Sequence, residues 1–508
     1  MGRQHGDSSA NGVTMNRFPL LTKAAAFVLV FLLVNLVLSM IQGLVNERRW
    51  RGVQAARSVE LSMAGRQTLL GPLMQRNCTE TWSEWEEAGT DKGETKPQQR
   101  RMVERQRSFV LAAAPQRLQV ESKLANQPRY RGIFKINGYT GRLEFDATWP
   151  DLNALQPRAE HAGSQLSCEP VRVWVAADDV RGLRSAQARV DGTPLAVQPG
   201  TPRAKNPHGL QFALDAVRSN DGSRPLSLQL SLELLGTTRL ALVPAAGETR
   251  WSLRSDWPHP SFGGRFLPST RDVTPQGSSA EWLVSTLSST AATDALGNGI
   301  VCRNTAVEGD ESADTPPPAA AATGQPCLDT MAVTFMDPVN PYVLSDRATK
   351  YAVLFIVLTF GAVALSEFLG RRRVHPIQYT LVGLALSMFF LLLLSLSEHI
   401  AFGHAYAVAS ASCVALLGFY GRFMLGSWRG GAAMGCGVAV LYGTLWTLLQ
   451  MEQTALIVGS LLLFAVLASV MVVTRRVDWY ELFAGLRQPA QVSPEPSFTE
   501  PQPTASRV

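Results

Sequence analysis

The sequence predicts a membrane α-helical bundle, with one N-terminal anchor and five C-terminal transmembrane helices. A large all-β, sandwich-like domain sits between the first helix and the second. Three observations carry this reading. Charged residues are 17% of the 508, below the roughly 25% of soluble domains. They are dense from about Glu47 to Arg347 and nearly absent from most of Tyr351 to Thr474. Within the charged stretch, short apolar alternations are broken by Pro and Gly turns, as in strand-rich domains. A mean hydropathy of +0.03 therefore averages two kinds of sequence.

Residues 1–23 form a cytoplasmic segment, and 24–45 the first span, uncharged between Lys23 and Glu47. Its apolar run exceeds that of a cleaved signal peptide and no A-x-A site follows, so it reads as an uncleaved signal anchor. Five further spans fall within 350–474, at about 351–370, 377–397, 400–421, 430–451 and 455–474, each near the 20 residues that a bilayer requires. Arg371, Arg372 and Arg373 follow the second span, Arg422 and Arg429 flank the loop after the fourth, and Arg475-Arg476 follows the sixth. The intervening loops offer Glu398 and Glu452. Basic loops lie on the cytoplasmic side, so both termini are expected inside and 46–349 outside, in the periplasm. Arg48, Arg49 and Arg51 point the other way, but long translocated domains escape the rule.

The outer domain reads as β. Leu occupies every even position from 226 to 234, with polar residues between, which is the period of a half-buried strand. Asn137-Gly138 within 131–145 has the signature of a hairpin turn. Further strands are expected at 108–113, 118–122, 171–175, 239–243, 251–253, 281–286 and 331–335, with helix confined to about 53–71. Residues 308–325 read as an exposed Pro/Ala loop, and 475–508 as a disordered cytoplasmic tail.

Four cysteines, Cys78, Cys168, Cys302 and Cys327, fall in the outer domain. An even number in an oxidising compartment suggests disulfides. Cys302 and Cys327 bracket the Pro/Ala loop and are the expected pair, which leaves Cys78 with Cys168. Four cysteines still allow three pairings. Closing the shorter loop would contribute about 3 kcal/mol in a chain-entropy model.

The net charge of +6 does not indicate nucleic acid, because the basic residues are scattered and many flank apolar runs. The chain has no H-E-x-x-H, G-x-S-x-G, phosphate-loop, dinucleotide or C-x-x-C motif. No catalytic, cofactor or metal residue is assigned. Asp256, His259 and Ser261 cluster locally, but two prolines stiffen that segment and a rigid turn packing Trp257 and Phe262 is the expectation. Ionisable groups inside a membrane attract functional suspicion. Glu398, His399 and His404 form the possible intramembrane polar site, and Glu367 reads as snorkelling beside Arg371. Gly431 and Gly435 make a G-x-x-x-G packing surface. Tyr379, Trp446 and Trp479 are interfacial anchors or core.

Several stretches carry a resemblance. They are Arg347-Ala-Thr-Lys-Tyr-Ala-Val-Leu-Phe-Ile-Val-Leu-Thr-Phe360, His375-Pro-Ile-Gln-Tyr-Thr-Leu-Val-Gly-Leu-Ala-Leu386, Leu394-Ser-Leu-Ser-Glu-His399 and Thr474-Arg-Arg-Val-Asp-Trp-Tyr480. With Trp257-Pro-His-Pro-Ser-Phe262 and Tyr130-Arg-Gly-Ile-Phe134, these resemble the CreD family of bacterial inner-membrane proteins over about residues 50–482. The resemblance implies a role in cell-envelope integrity, with CreBC-type two-component regulation and colicin tolerance, and supplies no catalytic residues. Relative to it, 81–99 and 308–325 look like insertions. The expectation is a non-enzymatic protein whose partners are the lipid bilayer and an unidentified envelope protein or ligand at the outer domain. A transporter using the bundle and a membrane-tethered hydrolase are the alternatives.

Overall fold

The computed structural model describes residues 19–87, 100–297, 299–301, 327–336, 341–370, 374–451 and 455–475. The expected loop 308–325, the tail beyond 475, Arg371–Arg373, Cys302 and Trp479 lie outside the described residues. The chain divides into two compact units, Met1–Arg49 with Val339–Val508, and Trp50–Pro338.

In the helical unit, α1 (Pro19–Ser62) is one unbroken helix of 44 residues, so the anchor and the expected helix after it are a single element. Val30, Val34, Leu38, Ile41 and Val45 form its buried stripe, while Leu29, Leu32, Leu36 and Met40 are exposed, as a lipid-facing side requires. Next come α4 (Pro341–Lys350) and α5 (Ala352–Gly370), a pair bent by 42°. They are followed by α6 (Pro376–Ser397), α7 (Phe402–Met424), α8 (Trp428–Gln450) and α9 (Ala455–Thr474). Among the described residues, α1, α6, α7 and α8 are each long and apolar enough to cross a membrane, and the bent pair passes the same test when its two helices are taken together. The expected second span began at 351. The short helix α4 precedes that position, and its Leu344 and Ala348 pack in the core of the helical unit.

In the β unit, one sheet runs in spatial order β11 (Gln198–Pro199), β12 (Gly209–Ala213), β8 (Arg172–Ala177), β1 (Gln67–Glu87), β14 (Arg239–Leu242), β19 (Met331–Phe335) and β16 (Pro260–Gly264). The strands β2 (Arg100–Ala113) and β7 (Gln165–Cys168) also pair with β1. The second sheet runs β10 (Thr193–Leu195), β9 (Leu183–Val190), β13 (Leu226–Thr237), β6 (Gly138–Trp149), β3 (Arg117–Asn126), β15 (Glu248–Ser255), β18 (Gly277–Ser285) and β17 (Thr270–Thr274). A separate hairpin joins β4 (Arg129–Arg131) to β5 (Phe134–Ile136). The sandwich is not wholly antiparallel, since β1 with β14 and β3 with β15 are parallel.

One core cluster takes side chains from both sheets. The even leucines of β13, from Leu226 to Leu234, are at most 1% exposed, so the period-two pattern marks the inward face. Trp251 and Trp282 face each other across β15 and β18, with ring centroids 4.4 Å apart. Each indole N–H has a partner, Ser122 Oγ at 2.9 Å and the Phe266 carbonyl at 3.1 Å. The other face of the first sheet buries Leu70, Leu73 and Trp174 under the short helix α3 (Ala291–Leu296), reached after α2 (Ala216–Asn220).

Two expectations are corrected. Helix was expected to reach Gly71, but α1 ends at Ser62 and Gly71 lies inside β1 with φ +109°. The run Leu69-Leu70-Gly-Pro-Leu73-Met74 is buried on both faces of a sheet, and a continuous apolar run has no period that separates strand from helix. The Asn137-Gly138 hairpin is also absent. The turn falls at Gly132, φ +59°, and β6 pairs with β3 and β13 instead.

The Trp pair should dominate the stability of the sandwich. Trp282→Ala is expected to cost about 3–5 kcal/mol through a large core cavity, read by denaturant unfolding of the purified full-length chain. Leu287→Ala, at a side chain 98% exposed, should stay within about 0.5 kcal/mol.

Candidate functional site: the tether junction

The β unit is joined to the helical unit at both of its ends, and polar groups of the β unit hold both connections. The first is the end of α1. No basic residue occupies its last turn, so its terminal carbonyls need donors from elsewhere. Arg181, from the loop between β8 and β9, supplies them by donating to the Leu61 and Glu60 carbonyls. Asp179 orients that guanidinium and also accepts the Gly65 amide at 3.0 Å. Burial alone would raise the Asp179 pKa, but hydrogen bonds from Arg181 and Gly65 hold it down at about 2.

The second connection leaves at the end of β19. The Phe335 carbonyl accepts from the buried Asn137 side chain at 3.1 Å. The Trp257 indole N–H donates to the carbonyls of Met336 and His259, at 3.1 and 2.9 Å. Lys135 lies 5.5 Å above the Trp257 ring.

The Thr237-Thr238 turn, where the chain crosses from one sheet to the other, binds both connections. Thr237 donates its amide to the Gly65 carbonyl at 3.1 Å and its hydroxyl to the Ala64 carbonyl at 3.3 Å. Thr238 donates its amide to the Asn137 carbonyl and accepts the Phe335 amide, at 2.9 and 2.7 Å. Thr238 does so with φ +55°, which costs a β-branched residue about 1–3 kcal/mol and persists because its surroundings over-determine it. The junction is built to hold two chain segments side by side and contains no nucleophile with an adjacent base.

Asp256, His259 and Ser261 do not converge. Asp256 accepts the Asn126 amide at 2.8 Å, His259 gives its carbonyl to Trp257, and Ser261 pairs in β16 with Thr334. Among the described residues no hydrogen bond links the three side chains, and the segment acts as the mount for Trp257. In the helical unit, Glu398 turns inward to Arg48 at 3.5 Å, whereas His399 and His404 are exposed. The three are not brought into one chain of groups. Glu367 is buried and accepts from the Tyr379 hydroxyl at 3.1 Å; Phe27 and Phe360 pack on that Tyr379 ring. Trp446 packs against Tyr406. Gly431 and Gly435 lie against Gly418 of α7, where a Cβ on Gly431 would stand 2.7 Å from the Gly418 carbonyl.

Cys78 and Cys168 are a cross-strand pair joined by a disulfide, Cα atoms 4.1 Å apart. Cys327 is disulfide-bonded, and its expected partner Cys302 lies outside the described residues. Nearby stands a group that sequence reasoning missed. Glu80 is fully buried in β1, and one of its oxygens accepts the Glu160 and His161 amides at 2.9 Å and the Ser164 hydroxyl at 2.7 Å. The Ser164 and His161 bonds hold its pKa below the ordinary carboxylate range. Arg76 is likewise buried, its guanidinium shared among the carbonyls of Glu169, Leu155 and Ser219 and the Asn220 side chain. Glu80 sits in the charged run Thr-Glu-Thr-Trp-Ser-Glu-Trp-Glu-Glu, where nothing sets it apart from exposed neighbours.

The chain matches the family model described as "Inner membrane protein CreD" over residues 19–480. It is 32% identical over 467 residues to Inner membrane protein CreD of Escherichia coli (strain K12), covering 92% of this chain and 95% of that one. The chain therefore belongs to the CreD family of inner-membrane proteins. Among solved structures, the M1 zinc metallopeptidase of Deinococcus radiodurans is 10% identical and covers 33% of this chain and 38% of its own, with a TM-score of 0.19. Leukotriene A4 hydrolase of Saccharomyces cerevisiae is 9% identical and covers 33% and 27%, with a TM-score of 0.18. Likeness at these scores carries no argument.

The junction has a pH signature. A carboxyl held at about 2 against an ordinary 3.8 stabilises the folded unit fully above the ordinary value, and that contribution fades as pH falls through about 2. Stability measured from pH 5 downward should lose part of its acid limb in Asp179→Asn. Asp179→Ala should cost about 1–3 kcal/mol at neutral pH. Trp257→Phe, which removes the donor to Met336, should cost about 1–2 kcal/mol and speed proteolysis after Met336.

Proposed function

We propose that this CreD-family protein is a non-enzymatic component of cell-envelope integrity that couples a periplasmic β domain to a transmembrane bundle. The observation that carries this reading is the junction. Both membrane connections are bound by one two-residue turn through backbone hydrogen bonds, so a displacement of one strains the other. A freely diffusing hydrolase would gain nothing from such a mount, whereas a sensor or scaffold needs its orientation fixed at the membrane. The basic loops beside α5, α7 and α9 support cytoplasmic termini and a periplasmic domain. CreBC-type regulation and colicin tolerance join the proposal through the family resemblance.

Two experiments test it. Periplasm-active reporters fused after about Gly200 should be active and those fused after Arg373 or Arg476 silent; activity at Arg373 would overturn the orientation. For coupling, the β domain is expressed with α1 alone in a deletion strain, its folding is checked by protease resistance, and detergent and colicin sensitivity are measured. The proposal expects no rescue. Full rescue by the folded, singly tethered domain would end it.

A further inference from the structure

Near the Thr237 end of β13, the outward face of the second sheet is hollowed into a depression of about 410 Å³. Six residues line it, all from the β unit: Gln127, Arg129, Thr140, Arg184, Glu233 and Leu235. Two departures from regular pairing make the hollow. In the ladder between β9 and β13, Leu183 faces Leu234 but Ser185 faces Glu233, so Arg184 is an extra residue on β9. A bulge of this kind re-aims a side chain, and Arg184 and Ser185 are both exposed in succession. On the opposite side the chain leaves β3 at Asn126 and continues into β4 with Arg129, pinned by the Gln127 amide on the Gly138 carbonyl at 2.7 Å. Between these walls Leu235 and Thr140, direct partners across β13 and β6, form the floor. Leu235 is 5% exposed.

The charges of this hollow are unbalanced. Among the described residues the Arg184 guanidinium has no hydrogen bond or ion pair, and that of Arg129 donates only to the Gln127 side-chain oxygen, at 3.3 Å. The single carboxylate, Glu233, is already engaged by Arg142 at 3.2 Å. Two exposed guanidiniums therefore face one hollow without an anion, beside the neutral donors of Thr140 and Gln127. Chemistry separates the anions that could fill it. A carboxylate has one charge and two oxygens, which a single guanidinium fork satisfies. A phosphate monoester carries about −1.5 to −2 charges at neutral pH and three acceptor oxygens, enough for both forks and a neutral donor. Glu233 would repel a bare dianion, but its remaining acceptor positions suit the hydroxyls of a ligand that extends beyond its phosphate. We infer that the depression binds a small phosphate monoester of a polyol. Arg129 and Arg184 hold its phosphate, and Glu233 accepts from a hydroxyl above Leu235.

The test uses the purified full-length chain in an uncharged, phosphate-free detergent at fixed ionic strength. Glycerol 3-phosphate, inorganic phosphate and glycerol are titrated, and binding is read by calorimetry and by the shift of the thermal transition. Glycerol 3-phosphate should bind more tightly than inorganic phosphate, and glycerol should not bind. Arg129→Gln and Arg184→Gln should each weaken glycerol 3-phosphate about tenfold, through loss of a charge-assisted hydrogen bond. Arg250→Gln, at an exposed position of β15 on the same face of the sheet, should leave it unchanged. Glu233→Gln should abolish the preference for glycerol 3-phosphate over inorganic phosphate. The substituted side chains are at the surface, and protease resistance confirms that each variant folds. Failure of glycerol 3-phosphate to bind the unsubstituted chain would end the proposal. Binding that survives both lining Arg substitutions, or that falls equally with Arg250→Gln, would overturn the site in favour of diffuse surface attraction. Equal affinity of the unsubstituted chain for the two phosphates would overturn the polyol.

Discussion

A domain anchored in a bilayer at both ends must deliver its first and last strands to the same end, and the β unit solves this with three neighbouring strands. β1 starts at the junction and runs away from it. β14 starts there as well, which is why the pair is parallel. β19 runs antiparallel to β14 and so returns to the junction. Only β14 separates the arriving strand from the departing one, a gap of two strand spacings, about 10 Å.

Holding that arrangement sets hydrogen bonds against backbone strain. Thr238 sits in a region that costs about 1–3 kcal/mol. Against it stand two backbone bonds of its own, two from Thr237 and the Asn137 bond to Phe335, each worth about 1 kcal/mol net when satisfied and more if left unmade in a buried site. The balance favours the strained turn. Charged groups are spent where neutral ones would fall short: the end of α1 is closed by the Asp179–Arg181 pair, and loop carbonyls beside the disulfide are gathered by Arg76. In the helical unit the equivalent economy comes from absence of side chains, with Gly431 and Gly435 against Gly418 letting α7 and α8 approach closely.

Much of this was legible in the sequence where one physical rule acts alone. Uninterrupted apolar runs marked the spans, and the Leu226–Leu234 alternation marked an inward sheet face. Legibility failed where tertiary context overrides local chemistry. Asn137-Gly138 has the composition of a tight turn, yet Asn137 is recruited as a buried donor to Phe335, 198 positions away. The run through Gly71 carries no periodicity because both of its faces are covered. Thr238 gave no sign, since a β-branched residue is the last choice for a positive φ. The junction as a whole was invisible, because its polar groups come from Gly65, Asn137, Asp179, Thr238 and Trp257, which only the folded sheet order brings together.

The direction of the strands at the junction has a mechanical consequence. Tension between the membrane and anything gripping the far end of the sandwich enters through β1 and β19, along their lengths. Their ladders to β14 then slide as a row rather than opening one rung at a time, so the hydrogen bonds share the load and must fail together. A force applied sideways, across the strands, would meet them singly at the Gly264 edge of β16. The β unit is therefore stiff along its own strands and compliant across them, which makes it a directional strut.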